Sequence, residues 1–336
     1  MKTEQGFSIT EMLISTMLFM VVLGATLSSL NDSLNLNEKT NRMADLEQNL
    51  RAGANFIVQD FIQAGWQIPT GGIPIPSGAG ANAVSRPSPP GQNYTFNVLT
   101  ISSVNPGAGL GPAINGRNTD MVNILYADNL LPVPLNSMNL AAINANGSTI
   151  TVNPAVPITN VNYPISVGDL IYFNNAKGST MQYVTAVNNQ QITFAPGDPM
   201  GLNQPNAAQG SITQLKNGAV WPPTTAMRVW MVTYYLDNTT DPQTPRLIRQ
   251  INNRVGQVVG LVLEDLRLSY DLVDGVTNPS NIDNPVAPNS PNQIRKLNLF
   301  ISGRSAAKMR ETNQYLRHTL TTQVSLRSLA FVNRYQ

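Results

Sequence analysis

From Met12 to Leu30 the chain is almost continuously apolar, and nineteen residues pass without a charge. As an α-helix that stretch rises ~1.5 Å per residue, about 28 Å in all, close to the ~30 Å hydrocarbon thickness of a bilayer. A helix in a soluble core would carry an apolar stripe with polar positions opposite. Here apolar residues lie all round, with only Ser, Thr and Gly between them, so the pattern predicts a membrane span. After Leu30 the pattern becomes periodic. Met43, Leu46, Leu50, Ile57 and Phe61 recur at three-, four- and seven-residue spacings, the signature of one helix face. Glu38, Lys39, Arg42, Glu47, Arg51 and Asp60 fall mostly off that stripe and are expected on the solvated side. No proline interrupts Asn31–Trp66, and Gly65 reads as a stop. The prediction is one helix from Phe7 to Trp66, of ~60 residues and roughly 90 Å. Residues 7–30 would span the membrane, and residues 31–66 would lay an apolar face on a globular domain covering 67–336.

Strand-like runs follow, rich in Val, Ile, Tyr and Thr and separated by Gly, Pro or Asn. They are Thr95–Ser102, Asp120–Tyr126, Thr149–Val152, Asp169–Phe173 and Met181–Val187, then Arg228–Leu236, Arg246–Ile251, Leu266–Leu272, Ile294–Ser302 and Leu320–Leu326. Residues 69–93 and 274–293 read as loops, and about 69–226 as a large loop-rich insertion. The fold class expected is α+β: a long N-terminal helix packed on an antiparallel sheet.

Composition narrows the chemistry. Charged residues make up 12% of the chain, against the ~25% usual for soluble domains, and the net charge is only +2. That balance names no acidic or basic partner. Cysteine is absent and His318 is the single histidine, which removes thiolate chemistry and leaves too few ligands for a usual zinc site. Gly107-Ala-Gly-Leu-Gly111 resembles a phosphate loop only superficially, because Pro106 and Pro112 flank it where a strand and a helix would be needed. Glu264 and Asp265 are adjacent, so a strand turns them to opposite faces. No serine sits in a nucleophile elbow. The sequence therefore predicts no enzyme, no catalytic residues, no metal site and no cofactor. Arg295, Lys296, Arg304, Lys308, Arg310, Arg317 and Arg327 outnumber the single acid Glu311 near the C-terminus. They are expected on solvated strand faces, with nucleic acid or an acidic neighbouring subunit as the functional alternative.

The start of the chain carries a more specific signal. Met1-Lys-Thr-Glu-Gln-Gly6 is polar and precedes the apolar run, whereas a secretory signal would place its small-residue cleavage site after that run. Gly6-Phe7-Ser-Ile-Thr-Glu11-Met-Leu resembles the type IV prepilin motif. The resemblance implies a leader peptide at 1–6, removed between Gly6 and Phe7 by the prepilin peptidase. It further implies N-methylation of Phe7 and a role in filament assembly for Glu11. An acidic side chain inside a span costs ~2.5–3.5 kcal/mol at the helix centre on insertion scales, so one at its edge calls for a partner. In a filament that partner would be the Phe7 amino group of a neighbour.

Leu46–Arg51, the Asp60-Phe-Ile-Gln-Ala64-Gly65-Trp66 helix end, and the strand order from Thr233 to Arg327 are similar to PilW-type minor pilins. That resemblance implies a structural subunit acting in pilus assembly or initiation, near the tip. Implied partners are other major and minor pilins, the inner-membrane assembly platform, and membrane lipid before assembly. The implied location is the inner membrane, as a single-pass protein, and then the extracellular pilus. A type II secretion pseudopilin, or a tip adhesin or DNA-binding pilin, would share the same start.

Overall fold

The computed structural model describes residues 8–76, 83–128, 138, 140–153, 158 and 164–326. The cleavage-site residues Gly6 and Phe7, and also Arg327, lie outside the described residues. One helix runs over Ile9–Gln63, 55 residues, matching the long helix expected from the pattern. It ends where the sequence says it should. Gly65 takes φ +79°, the left-handed region glycine tolerates, and its N–H bonds the Leu125 carbonyl at 2.9 Å.

Two compact units divide the chain. The first comprises residues up to Gln48 together with Arg304–His318, and the second Asn49–Gly303 with the chain from Thr319 onward.

In the second unit the helix end packs on a seven-stranded sheet. Its hub is the thirteen-residue strand Thr225–Asp237, which pairs antiparallel with Leu170–Asn175, Met121–Ala127 and Arg246–Ile251. Gly178–Tyr183, Val104–Gly107 and Gln257–Leu261 complete it. Leu50, Ile57 and Phe61 are fully buried, as their spacing predicted. Strands in the loop-rich stretch enter this sheet directly. Leu170-Ile171-Tyr172-Phe173 is buried on both faces, so it reads as an unbroken apolar run rather than an alternating one. Leu170 and Tyr172 join one core with Leu125, Met181 and Met231. Ile171 and Phe173 join a second with Ile150, Ile192 and Phe194, beneath a four-stranded sheet formed between residues 140 and 193.

Leu263–Leu272, Ile294–Arg304 and Arg317–Ser325 form a separate three-stranded sheet. The first of these strands buries alternate residues, as a sheet with one covered face must. The run expected over Thr95–Ser102 is broken into Tyr94–Thr95 and Thr100–Ile101. Val98 and Leu99 between them are exposed, which no continuous core strand would allow.

Candidate functional site

The first half of the helix presents its apolar side chains outward. Every large hydrophobic residue from Ile9 to Leu30 is exposed, and the best 18-residue window has a mean hydropathy of 2.0 with none of it buried. This helix is long and apolar enough to cross a membrane. Its hydroxyls do not spoil that property. Thr16 Oγ1 donates to the carbonyls of Met12 and Leu13, and Thr26 Oγ1 to that of Leu23, all at 2.9 Å. Both threonine hydroxyls of the run are thus satisfied inside the helix, as a hydrocarbon environment favours.

Glu11 sits in the first turn and is exposed. Its carboxylate accepts the Ser8 N–H at 3.0 Å, while the Thr10 N–H reaches Ser8 Oγ at 3.4 Å. Glu11 thus supplies the back-bonding half of a capping box, while Ser8 Oγ caps the N–H of Thr10 rather than that of Glu11. The sequence motif conceals this local role: an S-x-x-E start satisfies helix N–H groups whether or not Glu11 also pairs with a neighbour.

Further along, still in the first unit, the helix meets the Arg304–His318 segment. Arg42 bonds Glu38 through Nη2 at 2.7 Å and Nε at 3.0 Å, and its Nη1 donates to the Ala307 carbonyl at 2.8 Å. The Tyr315 ring has two cations near it, its centroid 3.8 Å from the Arg304 guanidinium and 5.7 Å from Lys308 Nζ. Beside them a cleft of about 570 Å³ is lined by Asn31, Leu34, Asn35, Glu38, Arg42, Arg310 and Glu311.

In the second unit Asp60, expected on the solvated face, is buried. Arg249 grips it through Nε at 2.7 Å and Nη2 at 3.0 Å. Tyr126 donates its hydroxyl to the same carboxylate at 2.8 Å, and Tyr234 donates to it as well. Burial pushes both tyrosines well above their usual range, and the Asp60 charge pushes them further. Burial alone would lower Arg249, but its bond to Asp60 raises it instead. A second buried group joins Arg228 to Asp128 and Asp169, with Arg254 on Asp169 at 2.7 Å. Several of the chain's few charges are thus spent inside the fold, which leaves its surface poorer still in charge.

The glycine run is a structural turn. A Cβ at Gly107 would come within 2.7 Å of the Met121 side chain, and one at Gly111 within 2.3 Å of Thr119 Oγ1. Close strand approach therefore accounts for these glycines. Glu264 is buried and Asp265 pairs with Arg267 at 2.9 Å. His318 is half-buried on the Arg317–Ser325 strand. An open cleft of about 520 Å³ lies against the three-stranded sheet, lined by Asp120, Arg267, Asn281, Asp283, Asn298 and Phe300 among others. Asp120 accepts the N–H groups of Gly109 and Leu268 at 2.8 Å, yet burial outweighs these bonds and pushes its carboxyl up.

A long N-terminal helix, apolar and exposed in its first half and packed on an antiparallel sheet in its second, is a pilin-like architecture. No family model matches the chain, and neither does any curated protein or solved structure.

Proposed function

We propose that this chain is a minor pilin of the PilW type, a structural protein of a type IV pilus rather than an enzyme. One observation supports the reading above all. A single helix leaves its uncharged first half wholly exposed while an apolar stripe near its far end, Leu50, Ile57 and Phe61, is buried against a sheet. Exposed apolar surface of that extent in water is a liability, and a bilayer followed by the packed core of a filament removes it. On this reading the prepilin peptidase cuts after Gly6 and Phe7 is methylated. The subunit waits in the inner membrane, then joins other pilins through the assembly platform, near the tip where its bulk is accommodated.

N-terminal mass spectrometry of filament-associated protein tests this. Methylated Phe7 is expected for wild type. A Gly6→Leu variant should remain in the membrane as a precursor six residues longer, because a side chain obstructs close approach of the peptidase to the backbone. An intact Met1 on protein from sheared filaments would end the hypothesis.

A further inference from the structure

The cleft between the helix and the Arg304–His318 segment sits at an informative height. It is lined from Asn31, the first residue past the apolar run, through Leu34 and Asn35 to Arg42. At ~1.5 Å per residue, Asn31–Asn35 extend about 2–8 Å beyond Leu30. The polar layer of a bilayer leaflet is about 5–8 Å thick, taking ~40–45 Å in total against a ~30 Å core. A tilt of ~20°, common for spanning helices, barely changes this. The helix side of the cleft therefore begins at headgroup depth when Met12–Leu30 spans the membrane, and Glu38 and Arg42 carry it outward to ~12 and ~18 Å beyond Leu30.

The segment that walls it is basic, while the lining itself balances Glu38 and Glu311 against Arg42 and Arg310. Arg304, Lys308, Arg310 and Arg317 face one carboxylate, Glu311, within this segment. Glu38 is neutralised by Arg42 at 2.7 Å. Arg310 lines the cleft and makes no hydrogen bond or ion pair among the described residues. Asn31 and Asn35 add amides able to donate to ester or hydroxyl oxygens. A guanidinium without a partner, lining a cleft that opens at headgroup depth on a basic segment, is suited to the phosphodiester of a lipid.

We infer that the Asn31–Arg42 cleft, with Arg310 as its anchor, binds the headgroup of an anionic phospholipid before the subunit enters a filament. The inference rests on the membrane-span reading of Met12–Leu30 and adds a headgroup preference to it. Each basic residue near an anionic surface strengthens binding by roughly fivefold, so losing one should be measurable.

Full-length protein in nanodiscs of mixed phosphatidylglycerol and phosphatidylcholine, examined by native mass spectrometry, tests it. Wild type should retain phosphatidylglycerol over phosphatidylcholine. Arg310→Gln should cut that preference about fivefold, and Glu311→Gln should raise it. The opposite signs separate a headgroup site from a folding defect. Millimolar free glycerol phosphate should not displace the lipid; if it does, the bilayer is not the source and the inference falls. Equal retention of the two lipids by wild type, or an unchanged ratio in Arg310→Gln, overturns it as well. Flotation with pure phosphatidylcholine vesicles stands apart: failure there removes the span reading itself.

Discussion

Asp60 on the N-terminal helix and Arg249 on the sheet are 189 residues apart in sequence, yet form a two-point ion pair at 2.7 and 3.0 Å. The pair fixes the helix end across the strands that carry Tyr126 and Tyr234, whose hydroxyls complete the carboxylate's bonds. Such a pair is worth little against a well-packed apolar alternative, but removing one partner leaves the other buried and uncompensated. Asp60→Ala should therefore cost about 3–5 kcal/mol. Asp60→Ala with Arg249→Met should recover part of that loss, because no unpaired guanidinium remains. Urea unfolding of a chain beginning at Asn31 measures both. A double variant no more stable than the single one would show that the charge is not what matters.

Asp60 also shows where the sequence stops being informative. Its spacing from Gly53 and Ile57 places it beside the apolar stripe, but a carboxylate is ordinarily read as solvated. Only Arg249, brought in by strand pairing, reverses that reading. The stripe itself was legible because Leu46, Leu50, Ile57 and Phe61 have no alternative to burial. Arg246–Ile251 was legible to the residue. The edge strand Gln257–Leu261 escaped notice because Gly256 and Gly260 interrupt its alternation. Nor can local pattern tell that Thr225–Asp237 pairs with Met121–Ala127, a contact across a hundred residues. For the candidate site, the apolar run and the Glu11 motif were plain in the sequence. The Arg310 cleft was not, since Arg310 reaches the helix only through the fold.

Gly53 tests how closely helix and sheet approach. A Cβ there would stand 3.0 Å from Leu247 Cδ2 and 3.8 Å from the Val259 carbonyl oxygen. Gly53→Ala should be nearly neutral: the helix gains up to ~1 kcal/mol, and the tip of Leu247 must yield slightly. Gly53→Val has no such room and should cost about 1–3 kcal/mol through overpacking. Thermal unfolding of the two variants side by side checks the contrast. Equal stability would mean that the helix stands further from the sheet.

The buried tyrosines predict an alkaline limit to stability. Burial, reinforced by the Asp237 charge, raises Tyr235 to about 12, and Tyr126 and Tyr234 are pushed up by burial and by Asp60. Unfolded tyrosine ionises near ~10. Above that pH the unfolded chain gives up protons that the folded one keeps, so stability is fully present below pH ~10 and falls as pH rises through the raised values. Tyrosinate absorbance should lag in the folded protein between pH ~10 and ~12, and urea midpoints should drop over the same interval. Normal titration of all ten tyrosines would contradict the burial of this cluster.

Glu11 carries two candidate roles that one pair of variants can separate. Its carboxylate accepts the Ser8 N–H at 3.0 Å, a local cap that needs an oxygen acceptor but no charge. In a filament the same group would be crowded by apolar helices, where a pair with a neighbour's Phe7 ammonium strengthens and either charge left alone becomes costly. Glu11→Leu removes both roles, while Glu11→Gln keeps an acceptor oxygen and loses only the charge. On the proposed pilin reading the residue stands at the membrane edge before assembly, so both variants should insert, be cleaved after Gly6 and accumulate in the membrane fraction. If charge pairing drives assembly, both should be poorly recovered in sheared filaments. If capping is the whole role, Glu11→Gln should enter filaments like wild type and only Glu11→Leu should fall short. Immunoblots of membrane and sheared fractions distinguish the two. We expect Glu11→Gln to fail alongside Glu11→Leu, and its normal incorporation would refute the pairing.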